Sequence, residues 1–456
     1  MLLHVFLSLL MSLFILAVVW LCHRYRLHHG PAHGKGGGRS LLPRRLKPRT
    51  PLDCPACCLS ASRSSSGRFE PVSVRPWQEV KSRRGAPKRV KTAGFACPNR
   101  ACVYYGITDA EIHALVGDGL RGQAERIQRL RCQACQTAFS ARRHTPLYRL
   151  KTPSHRVALV LGALAEGLDI SAAERVFGIR HATITSWLLR AGAHAQTLHE
   201  RSFRDLMLAH VQVDELRTRL RSHTQVLWLW VAIDPLSKCI PVLQLGPRTH
   251  QMAQLLIHRL REQLVPGCLP LFTSDGLNAY FYALTAHFGD WIKAAGCRKR
   301  KASQWQVAAG LMYGQVKKSY QRRKLVRVKH VIQLGTPPAF TQALQALGLS
   351  GRVNTAFIER VNLTIRRGVA ALARRTWATA LQTPHVQAHL HWWQAYYHFV
   401  RPHASLRVTL GQPLEREGKL RAQRYRQRTE ALAAGRTTRR WTAGEVLGCP
   451  LPPVSA

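Results

Sequence analysis

Apolar residues follow two different periodicities along this chain, and the change between them marks the expected helices and strands. Helical spacing appears at 157–164 and again after Gly178. Short apolar runs rich in β-branched and aromatic residues predict four strands, at 211–214, 225–233, 239–245 and 269–275. A helical pattern at 252–263 precedes the last run, which indicates a crossover that places the fourth strand beside the first. We therefore expect a mixed α/β core within residues 205–405.

Three acidic residues stand at informative places in these elements. Asp214 ends the first predicted strand, Asp275 ends the fourth, and Glu359 lies in a predicted helix over 354–367. Carboxylate oxygens are ligands of Mg²⁺, and two such ions can hold both the attacking and the leaving oxygen of a phosphodiester. The pattern predicts a catalytic Mg²⁺ (or Mn²⁺) site on these three residues, although Glu359 taken alone is better explained as a surface charge.

Two other acids lie close by in the sequence. Glu215 follows Asp214 directly, and the alternation of side chains along a strand predicts that it points to the opposite face of the sheet. Asp234 precedes Pro235, and Asp-Pro is turn chemistry that explains the aspartate without a function. Neither residue is expected in the site.

The charge of the chain is unusual. It carries 68 Lys and Arg against 23 Asp and Glu, a formal net charge of +45, with 46% hydrophobic residues among its 456. Such a chain should bind a polyanion, because neutralising phosphates releases condensed counterions. Nucleic acid is the favoured partner; a membrane surface or the ribosome is the alternative.

One stretch of this charge carries specific expectations. Residues 298–330 contain eleven Lys or Arg and no acid, with Trp305, Tyr313 and Tyr320 between them. Cations interleaved with aromatics suit a phosphate backbone and unpaired bases, although a solvated basic face is the commoner explanation of a charge run. The predicted DNA contacts here and nearby are Lys317, Lys318, Arg322, Arg323, Arg360, Arg366 and Arg401.

Residues 151–200 predict a helix-turn-helix. Ser171 with Glu174 predicts a capping box, Gly178 ends the first helix, and a second helix follows. In this arrangement the second helix enters the major groove. The side chains expected to face DNA are Arg180, His181, Thr183 and Thr185, while Ile184, Trp187 and Leu188 pack inward; a plain helical hairpin is the alternative.

Four of the twelve cysteines have metal-ligand spacing. Cys97, Cys102, Cys132 and Cys135 give C-x4-C-x29-C-x2-C, which predicts a structural Zn²⁺ in a zinc ribbon over 93–150. Buried free thiols are the alternative. Paired cysteines outside a small secreted framework also indicate a reducing compartment. The pattern at Cys54 and Cys57 is too incomplete to predict a site.

The ends of the chain raise a question of location. Residues 1–23 are apolar, and 2–22 are long enough to span a membrane, with basic residues following at once. An upstream extension of the reading frame explains this segment equally well. Residues 24–92 predict a basic flexible linker and 406–456 a basic tail. The expected location is the cytoplasm, on the nucleoid, with or without a membrane anchor.

Together these features resemble a bacterial insertion-sequence transposase of the DDE type, near the IS1-like group. The resemblance covers about residues 95–445 and rests on the cysteine pairs, the helix-turn-helix, the three acidic motifs and Tyr396-Tyr-His-Phe-Val-Arg-Pro-His403. It implies an RNase H-like fold with Asp214, Asp275 and Glu359 as the catalytic triad. It also implies Mg²⁺-dependent cleavage at transposon ends and attack of the freed 3′-hydroxyl on target DNA, by a homo-oligomer assembled on double-stranded DNA.

Two other functions remain open on the sequence. A membrane-anchored DNA-binding regulator would use the apolar segment, the zinc ribbon and the helix-turn-helix but would leave the three placed acids unexplained. An RNase H-like nuclease acting on hybrids or junctions would use the same acids without strand transfer. Nicking of a terminal-repeat oligonucleotide separates the first from a transposase, and strand transfer separates the second.

Overall fold

The computed structural model describes residues 74–80, 90–219, 226–292, 304–374, 376, 382–415 and 422–453. All of them belong to the larger of the two units into which the chain divides, Thr50–Ala456. The predicted span at 2–22, Cys54 and Cys57, and the basic residues 298–301 lie outside the described residues. Among the described helices, none has both the length and the apolar character needed to cross a bilayer.

A small antiparallel sheet of three strands comes first, in the order β1-β2-β3. The elements of this part are α1 (Trp77–Val80), β1 (Leu115–Arg121), β2 (Ile127–Cys132) and β3 (Ala138–Ser140). Its core is a cluster of its own, formed by Phe95, Tyr104, Leu115, Leu130 and Phe139 with three of the cysteines. Because this core is small, packing alone is a weak source of stability for this unit.

Three helices follow: α2 (Ser154–Ala165), α3 (Ile170–Phe177) and α4 (His181–Ser202). The predicted capping box at Ser171 is wrong, because Asp169 is the N-cap of α3 and its carboxylate accepts from the backbone N–H of Ala172 at 2.8 Å. Aspartate caps as well as serine does, and the helix begins two residues earlier than Ser171 requires. The Glu174 carboxylate accepts instead from the backbone N–H of His181, at 3.0 Å.

The central sheet is mixed and has six described strands in the order β11-β10-β7-β4-β5-β6. Its strands are β4 (His210–Arg219), β5 (Val226–Ile233), β6 (Val242–Gly246), β7 (Leu271–Asp275), β10 (Tyr313–Gln321) and β11 (Lys324–Leu334). The predicted meander and crossover are confirmed: β4, β5 and β6 pair antiparallel, and β7 lies parallel to β4. β10 then adds parallel to β7, and β11 turns back antiparallel.

Helices cover both faces of this sheet. They are α5 (His250–Gln263), α6 (Ala279–His287), α7 (Pro337–Ala346), α8 (Ala356–Gly368) and α9 (Thr383–Phe399). On β5, Trp230 and Ala232 join one core cluster, while Leu229, Val231 and Ile233 join the other. A strand buried on both faces requires an uninterrupted apolar run, which is what 226–233 supplies.

The remaining strands and helices are short. They are β8 (Gly289–Ile292), β9 (Gln304–Val307), β12 (Val408–Leu414), β13 (Gln423–Arg426), α10 (Glu430–Ala433) and α11 (Ala443–Gly448). The segment 430–451 belongs to the core although its surroundings are basic. Trp441 is 2% exposed and stacks on Phe399 with ring centroids 4.8 Å apart, and His194 of α4 contacts the Val446 carbonyl oxygen.

Candidate metal and nucleic-acid site

The parallel pairing of β4 and β7 brings two of the predicted acids together. Val213 is the register partner of Ser274, so Asp214 and Asp275 come next on neighbouring strands. Asp275 ends β7, but the prediction that a strand ends at Asp214 is wrong, because β4 continues to Arg219 in register with β5. Together with Glu215 they form a group in which one carboxylate oxygen of each lies within 4.8 Å of the others. Oxygen ligands at this separation could hold a divalent cation.

Asp214 is the best-held member of this group. Its Oδ2 accepts from the Asn362 amide of α8 at 2.7 Å, and its Oδ1 accepts from the Glu215 backbone N–H at 2.9 Å. Burial, with repulsion from Asp275 and Glu215, nevertheless raises the pKa of Asp214 to about 7. When burial and neighbouring negative charges raise the pKa of a carboxyl group, a bound cation would stabilise its charged form.

Glu215 was not expected in the site, and that expectation is wrong. The alternation itself holds, because Asp214 contacts α8 while the Glu215 Oε2 accepts from the Tyr280 hydroxyl of α6 at 3.0 Å. The Glu215 Oε1 accepts from the Arg248 Nε at 2.8 Å. The glutamate side chain is long enough to bring its carboxylate from the other face of β4 to the two aspartates. Burial raises the pKa of Glu215, although Arg248 opposes the shift.

Glu359 lies apart from this group but on the same cavity. Its carboxylate accepts from the Lys318 ammonium and from the Thr355 hydroxyl, the latter at 2.7 Å. Burial acts to raise the pKa of Glu359, but hydrogen bonds from Lys318 and Thr355 lower it overall. Within the described residues, Glu359 is therefore in the cavity wall as an ion pair and not in the close carboxylate group.

The cavity that these acids share has a volume of about 720 Å³. Asp214, Asp275 and Glu359 line it together with cations, among them Arg248, Lys317 and Lys318. A wall that combines half-buried aspartates with cations suits a metal-bridged phosphate. Neither a protein-family model nor a curated protein matches this sequence.

The four predicted zinc ligands also come together. Their sulfur atoms lie within 4.8 Å of one another, with Cys97 Sγ 3.5 Å from Cys135 Sγ and Cys102 Sγ 3.8 Å from Cys132 Sγ. Four thiolates about 2.3 Å from a tetrahedral Zn²⁺ are about 3.8 Å apart, so the sulfur positions fit that ion. These residues could hold a metal with four sulfur ligands and no open position.

The protonation of these thiols follows from their surroundings. Burial raises the pKa of Cys97 well above its usual range and that of Cys102 to about 11. Burial acts in the same direction on Cys135, but hydrogen bonding with the Thr137 hydroxyl and backbone lowers the pKa of that thiol to about 6. Metal binding would have to displace protons from the more buried thiols, which couples binding to pH.

The predicted DNA-binding residues of α4 lie at its beginning. Arg180 is the N-cap, and Arg180, His181 and Thr183 are exposed while Thr185 is half-buried. Ile184, Trp187 and Leu188 are buried, as predicted. The helix-turn-helix and its contact with DNA both stay predictions.

The arginines after Glu359 have different surroundings. Arg360 is exposed, Arg401 lies 3.8 Å from Glu166, and Arg366 donates to the carbonyl oxygens of Leu372 and Arg217. Arg366 therefore holds backbone together as well as carrying charge.

Sequence reasoning missed the residues that support the carboxylates. The sequence contains a feature that could have indicated Asn362, because this residue lies three positions after Glu359 and therefore on the same face of α8. No such feature indicated Tyr280 and Arg248, because each reaches Glu215 from an element far along the chain.

Proposed function

We propose that this protein is a DNA transposase of the DDE type that binds transposon ends, cleaves phosphodiester bonds with divalent metal and joins the 3′-hydroxyl ends to target DNA. One observation carries the proposal: Asp214 and Asp275 meet on adjacent parallel strands, and Glu359 lies in the wall of the same cavity. The net charge of +45 and the resemblance of the motifs support DNA as the substrate.

The residues of the cavity divide the work of phosphoryl transfer, which needs positioning and charge neutralisation more than a protein nucleophile. Asn362 orients the Asp214 carboxylate through its amide. Lys317 and Lys318 provide positive charge where a phosphate would enter. Bound divalent ions would supply activation of the attacking oxygen and stabilisation of the leaving oxygen.

The parts that precede the cavity suit the recognition of transposon ends. The exposed start of α4 presents Arg180, His181 and Thr183 to solvent, where a major groove could receive them. Zn²⁺ on the four cysteines would hold the three-stranded unit together, and Glu125 of that unit accepts from the Ser154 backbone N–H at 2.7 Å. This bond joins the unit to the first turn of α2.

A DNA-binding regulator without catalysis explains these observations less well. Binding does not require two carboxylates to be buried against each other, an arrangement that raises the pKa of Asp214 and is unfavourable without a cation. An RNase H-like nuclease would use the same carboxylates, so only the product of the reaction separates it from a transposase.

Cleavage of DNA that flanks the gene tests the proposal. We expect the purified protein with Mg²⁺ to nick a plasmid that carries this DNA and to join the ends to a second plasmid. Asp214→Ala should reduce nicking to background while the gel shift of the same DNA is retained, because the carboxylate acts on the reaction and not on binding.

Glu262→Gln is the matched control, since Glu262 is an exposed acid on α5 outside the cavity, and it should leave nicking unchanged. Full cleavage by Asp214→Ala would disprove the assignment of the triad. Nicking without joining would favour the nuclease.

A further inference from the structure

Two strands of the central sheet continue past their neighbours. β10 pairs with β7 only from Tyr313 to Val316, whereas it pairs with β11 as far as Gln321. Five further residues at about 3.4 Å each carry the pair roughly 17 Å beyond the end of β7. Residues 317–329 thus form a two-stranded ribbon, which we call the β10–β11 arm.

The arm carries one sign of charge. It contains seven Lys or Arg and no acid, and the sequence has no Asp or Glu between Asp290 and Glu359. Register sorts four of these cations onto one face, where Lys317 stands opposite Lys329, Ser319 opposite Arg327 and Gln321 opposite Lys324. Like charges directly across a ladder are unfavourable, so this face is suited to a polyanion.

The other face of the arm carries Lys318 among apolar and aromatic residues and borders the cavity. Lys318 stands opposite Val328, and Tyr320 stands opposite Leu325. Lys318 and Tyr320 both line the cavity that contains Asp214 and Asp275. Tyr320 is 63% exposed in the wall of the same cavity, where its ring could stack on the flat face of a base.

The tip of the arm has a strained backbone. Arg322 (φ 50°) and Arg323 (φ 66°) form a two-residue turn in which both residues are in the left-handed region. Asn-Gly is the favoured pair for that turn, because side chains with a bulky Cβ are disfavoured there. Two arginines at the outermost point of the arm indicate that charge is retained there against the conformational preference.

We propose that the β10–β11 arm holds DNA across the mouth of the cavity, with Tyr320 stacked on an unpaired base beside the reacting phosphate and the arginine tip on the sugar-phosphate backbone. The position of that base relative to a reaction rests on the proposed function. Binding of DNA by the arm does not rest on it, and this binding can be measured without added Mg²⁺ or Mn²⁺.

The aromatic contact is tested by fluorescence anisotropy on the full chain without added Mg²⁺ or Mn²⁺, with a blunt duplex and the same duplex carrying a short single-stranded end. Tyr320→Leu keeps apolar bulk but removes the ring, and it should lower the affinity for the tailed duplex by about 5- to 100-fold, with the blunt duplex unaffected. Tyr320→Phe keeps the ring and should bind both as the unchanged protein does. Equal binding of the tailed duplex by Tyr320→Leu and the unchanged protein would overturn the stacking.

The tip is tested by a double variant that improves the turn. Arg322→Asn with Arg323→Gly should raise the melting temperature and yet weaken binding to both duplexes. The slope of log affinity against log salt should fall by about 0.9 for each lost phosphate contact. Arg322→Lys with Arg323→Lys keeps the charge and should keep the slope. An unchanged slope in the Asn-Gly variant would remove the tip from the interface.

The two proposals fail differently. If the variants show these binding differences but the protein never nicks DNA with Mg²⁺, DNA binding by the arm is supported and the transposase proposal is contradicted. If the protein nicks and joins DNA but Tyr320→Leu binds the tailed duplex normally, the proposed stacking by the arm is contradicted and the transposase assignment stands.

Discussion

At the scale of single residues, the candidate site depends on how far each side chain reaches. Asp214 and Glu215 leave β4 on opposite faces, yet their carboxylates meet near Asp275 because the neighbouring strand β7 ends there. Glu359 reaches the cavity and is neutralised there by Lys318. The same dependence on surroundings governs the buried histidines.

Three of these histidines should make the protein sensitive to acid. Burial lowers the pKa of His194, His199 and His389 to about 4, and the ring Nε2 of each contacts a backbone carbonyl oxygen. Below the unfolded value of 6.5 the unfolded chain binds protons that the folded protein does not. Each histidine therefore contributes stability that is complete above pH 6.5 and is lost as the pH falls toward 4, by roughly 1.4 kcal/mol per pH unit.

His389→Gln tests this at one position. The Gln amide can still donate to the Leu164 carbonyl but cannot titrate, so the free energy of unfolding should depend less steeply on pH between 6.5 and 4, by about one histidine's contribution. Urea unfolding at a series of pH values measures the slope. An unchanged slope in His389→Gln would show that this ring does not titrate with folding.

At the scale of elements, the close approach of two helices depends on one glycine. α4 and α9 approach at Gly192, where an added Cβ would lie 2.5 Å from the backbone of Ala388. A helical pattern shows that both helices have apolar faces, but only the packed structure shows which glycine lies at the contact.

Gly192→Ala should destabilise the protein by about 1–3 kcal/mol, because neither backbone can move away from the new methyl group without repacking. Gly162→Ala is the matched control on α2, where the nearest atom to an added Cβ is 3.8 Å away. That change should be stabilising, by about 0.5–1 kcal/mol, because alanine favours a helix over glycine. Chemical denaturation of both variants measures the difference, and equal effects would place α4 and α9 further apart.

At the scale of the whole molecule, two cores of unequal size are held by different means. The six-stranded sheet is covered by helices on both faces, and 430–451 adds Trp441, Val446 and Leu447 to that core. The three-stranded unit has only its own small cluster around the cysteines. The smaller unit should therefore depend on metal.

We expect one Zn²⁺ per chain, measured by elemental analysis of the purified protein. Chelation should increase hydrogen exchange in β1 to β3 while β4, β5 and β7 stay protected, because only the smaller core loses a constraint. Cys102→Ser should lower the zinc content, whereas Cys268→Ser, on a thiol that contacts the Leu208 carbonyl, should not. Full zinc content in Cys102→Ser would show that the four cysteines are not the ligands.

The sequence by itself determined the features that depend on local pattern and spacing. Apolar periodicity predicted β4 to β7 and their order. It also marked Asp214 and Asp275, although only Asp275 ends its strand and β4 continues past Asp214 to Arg219. The cysteine spacing selected four sulfur atoms that do meet. These inferences succeed because nearby residues restrict both the pairing partner of a strand and the geometry of two closely spaced cysteines.

Only the tertiary structure decided which distant groups complete the site. The acids are contacted from separate elements by Asn362, Tyr280 and Arg248. Tyr320 lines the cavity because β10 extends beyond the end of β7. The burial of Trp441 within a basic segment is of the same kind. Each contact depends on the packing of elements far apart in the chain. There the length and direction of the side chains, and not their spacing in the sequence, determine which residues come into contact.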